Sequence, residues 1–361
     1  MSDAPQRWTS VDALRGCTVA AMLLVNDPGD WSHVYAPLEH SDWNGCTPTD
    51  LIFPFFLFVM GVSVALGIVP RVERGVDRGA DRTALCRAAL WRALRIVVLG
   101  VAINLVAWAL LAGAHLRWPG VLQRIGLCFA GTALFAIYAR PRTWLIAATA
   151  LLVGYWLLLL AGGTLVPWDN IASRIDSAVF GAHVYLIDAA TGRGHDPEGL
   201  AGTFGSLATS LLGLCAGQLL REGRRGRLVV GGAIALLVAL IWTHWLPLNK
   251  NLWTPSFALA CAGLAACVLV AFHVAIDARG WPALGRRFGV NAIAAYAGSE
   301  LMQILLPALG WQQPIYDVAF ARWITPLAGP FVASLTFAIA FVALWWLIVY
   351  ALDRRRLYLK L

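Results

Sequence analysis

His40 and Asp50 stand ten residues apart on either side of a glycine-containing turn. That spacing lets the chain fold back on itself, so that a carboxylate at the mouth of one apolar stretch could meet an imidazole. A carboxylate bonded to one ring nitrogen fixes the tautomer and makes the other nitrogen a better base. The surroundings are unusually polar for a region between two apolar blocks: Asn26 and Asp27, then Glu39, Ser41, Asp42, Trp43, Asn44 and Thr47. Against catalysis stands the plain alternative that His40 is one loop histidine among seven in the chain.

Three further groups carry polar side chains beside apolar stretches, where ionisable residues are costly and mark function by default. Arg117 to Arg124 runs into an apolar block with Gln123 and Arg124 at its start. Arg124 could bind an anion or pair with Asp50, or it could simply snorkel to the interface. His195-Asp196-Pro197-Glu198-Gly199 could hold a cationic or hydroxyl-rich ligand. The same residues would also suit a helix start, since acidic groups favour the N-terminal dipole and Pro the first turn. Asn249-Lys250-Asn251 contains one of only two lysines in the chain, set between amides that suit ligand contact. Asn291 and Glu300 lie inside a later apolar block. No P-loop, nucleophile elbow, zinc-protease helix or dinucleotide fingerprint is present, which argues against those enzyme classes.

The elements that must position these groups are membrane helices. Hydrophobic residues make up 59% of the 361 and charged residues 13%, against about 25% charge in ordinary soluble domains. Leu51 to Pro70 and Leu252 to Ile276 contain no Asp, Glu, Lys or Arg, and roughly 20 apolar residues suffice to cross the hydrocarbon core. The fold class expected is all-α, a polytopic transmembrane helical bundle of about ten spans: 10–27, 50–70, 90–112, 119–139, 143–162, 200–220, 228–246, 252–276, 288–309 and 328–352. The alternation of a β-barrel is absent. Residues 1–361 read as one transmembrane domain without internal repeat or signal peptide. The seven cysteines form no CxxC pair and read as small core residues, so neither a disulfide framework nor a metal site is expected.

The net charge of +8 is nearly all arginine. In a bundle this is a topology signal and not a nucleic-acid footprint. Of the 28 Lys and Arg, 21 fall on one side of the ten spans, including Arg7, Arg78 and Lys360, and five on the other. The positive-inside rule then puts both termini in the cytoplasm. The outer loops would be 28–49, 163–199, 247–251 and 310–327, with a short helix around Ser173 to Leu186.

The residues also follow a known pattern. Arg15-Gly16, Asn26, Leu38 to Gly45, Thr49 to Phe58 and Gly61 resemble the heparan-α-glucosaminide N-acetyltransferase family. The resemblance continues through Pro119 to Arg124, Asp196 to Gly199 and Asn249 to Trp253, in family order, and ends near Gly289-Val290-Asn291. It is nearest to the bacterial members, because the luminal domain of the lysosomal enzyme has no counterpart here.

The resemblance implies transmembrane acetyl transfer, with acetyl-CoA as donor from the cytoplasm and the amine of a glucosamine-type sugar as acceptor on the far side. A bacterial inner membrane is the implied location, and a homodimer through the apolar outer surface is conceivable. The family's active-site histidine falls on His40, and its supporting asparagine and aspartate on Asn26 and Asp50. Arg71, Arg74, Arg92, Arg95 and Arg124 are candidate partners for CoA phosphates, since arginine suits bidentate phosphate contact. Trp43, Asn44, Asp196, Glu198, Asn249 and Lys250 are candidates for the acceptor site. His40 could act as a base or carry the acetyl group itself. Two other readings of the same residues are an amino-sugar transporter without chemistry and an O-acyltransferase of an exported glycan.

Overall fold

A computed structural model describes residues 8–76 and 82–359. Arg7, Arg78 and Lys360, which entered the charge count above, lie outside them. The described chain is helical nearly throughout, because a Leu/Ala/Val-rich segment in lipid must satisfy every backbone group within itself. In chain order the helices are α1 (Thr9–Asn26), α2 (Ile52–Gly67), α3 (Val69–Val76), α4 (Arg82–Leu110), α5 (Val121–Tyr138), α6 (Pro141–Ala161), α7 (Ile171–Phe180), α8 (Gly202–Arg221), α9 (Arg225–Trp242), α10 (Pro255–Phe272), α11 (Arg286–Val290), α12 (Ala292–Ala308), α13 (Gln312–Tyr316), α14 (Arg322–Ala328) and α15 (Pro330–Arg354). Proline opens α6, α10 and α15 at a position whose N–H has no partner in any case.

Among the described residues eight helical stretches are long and apolar enough to cross a membrane, and a ninth if one bent pair counts as a single span. The first expected span, α1, is helical but is not among the eight; Asp12 and Arg15 dilute its apolar character. The bent pair is Ala292–Ala308 with Gln312–Ala328, which turn through 98°, with Gly310 at φ 68° in the break. The region 310–327, expected as an outer loop, is therefore largely helical: α13 and α14 are joined by a π-helical turn, Asp317–Ala321.

The spans sort by burial. In Thr49–Gly75, Val121–Tyr138 and Gly202–Arg221, 61% of the apolar window is buried inside the protein, whereas in Arg225–Trp242 the share is 17%. The first three are the centre and α9 is a lipid-facing wall. What draws α2 against α8 is the lack of side chains: Gly61 lies against the Ser210 carbonyl and Gly213 against that of Phe58, so a methyl group on either would collide with backbone. Without a hydrophobic drive between helices in lipid, close backbone approach through small residues supplies the packing.

The long outer segment 163–199 has its own small core. Asn170 caps α7 by accepting from the Ser173 N–H at 2.8 Å, and two short antiparallel strands follow, β1 (Leu186–Ile187) and β2 (Gly194–His195). The helix expected near Ser173 to Leu186 is present but starts earlier and gives way to strand after Phe180.

Candidate active site

The segment between α1 and α2 is a knot of turns organised by one carboxylate. Asp50 sits in a 3-10 turn, Thr49–Leu51, that leads into α2, and its side chain is fully buried. Its Oδ2 accepts from the Ser41 N–H (3.2 Å) and hydroxyl (2.9 Å) and from the Thr47 N–H (2.9 Å) and hydroxyl (3.2 Å). That leaves Oδ1 for His40 Nδ1, at 2.7 Å. His40 is 47% exposed while Asp50 is closed off, so the carboxylate holds the ring from behind. With Asp50 ionised, Nδ1 carries the proton and Nε2 keeps its lone pair.

The loop between α9 and α10 grips this knot. Gly45 donates to the Leu248 carbonyl at 2.8 Å, and Asn249 Nδ2 donates to Asn44 Oδ1 at 3.1 Å. Asn249 Oδ1 also accepts from the Leu252 N–H at 2.7 Å. Trp253 closes the turn in the left-handed region, φ 52°, with its ring buried against Phe53 and Phe257. A bulky residue held there is strained, and only a packed ring keeps it. The turn delivers Lys250, whose Nζ lies 3.0 Å from His40 Nε2 and 3.2 Å from Nδ1. Burial holds the Lys250 pKa below the ordinary lysine value, against the pull of Glu198 and Asp50.

On the opposite wall Arg117 forks onto two carboxylates. Its Nε and Nη2 reach Asp196 at 2.8 and 2.5 Å, Nη2 also reaches Glu198 at 2.5 Å, and the guanidinium lies 4.7 Å over the Tyr185 ring. Asp196 is further tied by the N–H groups of Tyr185 and Glu198, both at 2.9 Å. Burial pushes the Glu198 pKa up, but Arg117, Arg124 and Lys250 outweigh it and hold the carboxyl below its ordinary range. Behind this wall His195 meets the Ser173 hydroxyl at 2.9 Å and Asp176 accepts from the Leu200 N–H at 2.9 Å.

Three cavities adjoin at this site through shared lining residues. An outer one of about 670 Å³ is lined by Asn26, His40, Arg117, Glu198, Lys250 and the α12 side chains Tyr296, Glu300 and Gln303, among others. A small one of about 110 Å³ is lined by Met22, Asn26, His40, Phe53, Glu198, Lys250 and Tyr296. An inner one of about 210 Å³ is mostly apolar but has Arg15, Arg71 and Arg92 on its walls, with Met22 and Tyr296 again. The arrangement can hold a polar ligand beside His40 and a slender apolar arm beneath it, with cations at the arm's far end.

The residues singled out from sequence divide into two sets. His40, Asn26, Glu198 and Lys250 line the outer cavity, with Asp50 directly behind His40. Trp43, Asn44, Asp196 and Asn249 line none of the three and brace the walls; the Trp43 indole donates to the Leu165 carbonyl at 2.9 Å and packs on His195. Of the arginines, Arg71 and Arg92 reach the inner cavity and Arg74 and Arg95 do not; Arg74 Nε donates to the Pro70 carbonyl at 3.1 Å. Arg124 neither pairs with Asp50 nor lines any of these three cavities. It is buried, donates to the Gly199 carbonyl at 2.8 Å and lies 5.3 Å over the Trp253 ring. Sequence reasoning passed over Tyr296 and Gln303 and saw Glu300 only as an isolated polar group. Their spacing of four and three residues puts all three on one helix face, a polar stripe within an apolar segment. Asn104, which donates to the Arg117 and Pro119 carbonyls at 2.8 and 2.9 Å, was also missed.

Fold and site together define a polytopic helical membrane protein with a carboxylate-held histidine facing a cavity at one end of the bundle. A family model described as heparan-alpha-glucosaminide N-acetyltransferase, catalytic, matches residues 7–186. The chain is 27% identical to the heparan-alpha-glucosaminide N-acetyltransferase of Homo sapiens across its whole length, and 27% identical to that of Mus musculus across 98% of it. It spans 61% and 60% of those two relatives. The chain is similar to members of this family over these stretches.

Proposed function

We propose that this chain is a transmembrane acetyltransferase that takes acetyl-CoA from the arginine-rich side and acetylates the amine of a glucosamine-type sugar on the other. What carries this reading is the set of adjoining cavities, two of them lined by His40 and the third by Arg71 and Arg92, with Tyr296 on all three. CoA bears phosphates that cannot enter hydrocarbon, so its nucleotide stays by those arginines while the pantetheine arm lies in the apolar channel. On this reading both termini are cytoplasmic, and a bacterial inner membrane is the expected home.

The chemistry follows from the ring geometry. The acceptor amine attacks the thioester carbonyl, and His40 Nε2 takes the proton the nitrogen sheds. Asp50 steadies the imidazolium through Nδ1, and the proton then passes to the departing CoA sulfur. Asn26, on the cavity wall, is positioned to donate to the carbonyl oxygen as charge gathers there, a contribution of about 3 kcal/mol in comparable sites. Lys250 Nζ lies 3.0 Å from Nε2 and must swing off that nitrogen as it takes the amine proton.

The test is purified protein with acetyl-CoA labelled in the acetyl group, offered a panel of amino sugars and alcohols. Label on an amine that resists base supports the proposal. Label that stays on CoA points to a transporter, and a base-labile ester points to O-acylation.

A further inference from the structure

Tyr296 is the one described residue that lines all three cavities. Leu122 borders the outer and inner ones and Met22 the inner and the small one, but only the Tyr296 ring touches the whole series. It is partly buried in the second turn of α12, with Glu300 next to it one turn on. Above the ring the walls are polar, with His40, Glu198 and Lys250; below it they are Val19, Phe56, Ile96 and Ile125.

We propose that Tyr296 is the partition between a donor chamber and an acceptor chamber, and that its aromatic bulk decides whether amine or water meets the thioester. This rests on the acetyl-transfer reading. In transfer, the C–S bond of the thioester breaks as a C–N bond forms, and the amine proton ends on sulfur by way of His40. In the competing leak, the oxygen of water bonds to the acetyl carbon, the C–S bond breaks, and acetate and free CoA leave. His40 would assist both equally, since a base does not distinguish the nucleophile it serves. Selectivity must therefore come from what reaches the carbonyl. An outer cavity of about 670 Å³ with polar walls meets a mainly apolar one of about 210 Å³ at this residue. Excluding water until the acceptor fills the site is the general means of suppressing such side reactions.

The experiment measures release of the CoA thiol by full-length protein with and without glucosamine. Tyr296→Ala should release CoA without acceptor about tenfold faster than the parent protein, while Tyr296→Phe, which keeps the ring, should hold the leak low. Tyr296→Leu, smaller but apolar, should fall between and serves if the alanine variant does not fold. A second readout needs no turnover. Ser63 lines only the inner cavity, so Ser63→Cys should react with a charged maleimide added to the outer side only when Tyr296→Ala is also present. Unchanged acceptor-independent release in a Tyr296→Ala protein that still transfers acetyl, a leak in Tyr296→Phe as large as in Tyr296→Ala, or outer-side labelling of Ser63→Cys indifferent to Tyr296 would each overturn the partition. A parent protein inactive toward every amine sinks the transfer reading instead, and the labelling result then stands alone.

Discussion

At the scale of single residues the site depends on one carboxylate doing two jobs. Oδ2 of Asp50 ties the turns of the 40–50 segment together while Oδ1 aligns His40. Asp50→Asn should therefore damage activity and local order together, whereas His40→Ala should remove the base and leave the turns standing. Loss of a positioned general base costs about a hundredfold or more, so His40→Ala protein that elutes normally in detergent should show at most about a hundredth of the parent transfer rate. Retained turnover there would remove His40 from the mechanism. Lys250→Ala should be milder than His40→Ala, because it removes a neighbour of Nε2 and not the base itself. A loss as deep as that of His40→Ala would make Lys250 part of the proton transfer.

At the scale of elements, the outer segment 163–199 carries two buried groups with opposed pH behaviour. Burial raises the Asp176 carboxyl to about 7 and lowers the His195 ring to about 4. As pH climbs from about 4 to 7 the unfolded chain ionises its aspartate while the folded segment keeps Asp176 protonated, so folding loses ground. Below about 6.5 the unfolded chain takes up a histidine proton that folded His195 declines, so folding gains ground as pH rises through the same range. The two slopes oppose each other and flatten the parent profile. Asp176→Asn removes one of them, and its melting temperature should then rise steadily between about pH 4.5 and 6.5; a profile as flat as the parent's would refute this account. At the helix crossing, Gly213→Ala sets a methyl group against the Phe58 carbonyl, and overpacking of this kind costs about 1–3 kcal/mol. The expected signature is a lower melting temperature in detergent, with Gly154→Ala, where nothing lies nearby, as the control.

The same scale explains what could be read from sequence. The apolar blocks announced helices because length and lack of charge are sufficient for that inference in lipid. The meeting of His40 with Asp50 was legible because both lie in one short loop. Lys250 reaches them from more than two hundred residues away, and no local pattern carries that. The polar stripe of Tyr296, Glu300 and Gln303 was present in the spacing, but three polar residues in an apolar helix announce a cavity only once a facing wall is known. Arg124 does not pair with Asp50: it donates to the carbonyl of a distant turn and lies over the Trp253 ring, contacts that no local pattern carries.

At the scale of the whole molecule, charge and cavities make one prediction together. If the arginine-bearing end faces the cytoplasm, reporter fusions at both termini should report the cytoplasmic side, and Arg92→Ala should raise KM for acetyl-CoA several-fold with little change in KM for the acceptor. Arg95, exposed and away from the cavity, is the matched control. A rise in acceptor KM alone would reverse the assignment of the two ends.

The bend after α12 bears on the bilayer itself. Seventeen residues at 1.5 Å each span about 26 Å, short of the roughly 30 Å of hydrocarbon, and the chain then turns through 98°. A helix this short is met by local thinning of the bilayer, by snorkelling of flanking residues or by packing against other helices. The element that carries Tyr296 thus offers a shorter path through the bundle than the 29-residue α4 does.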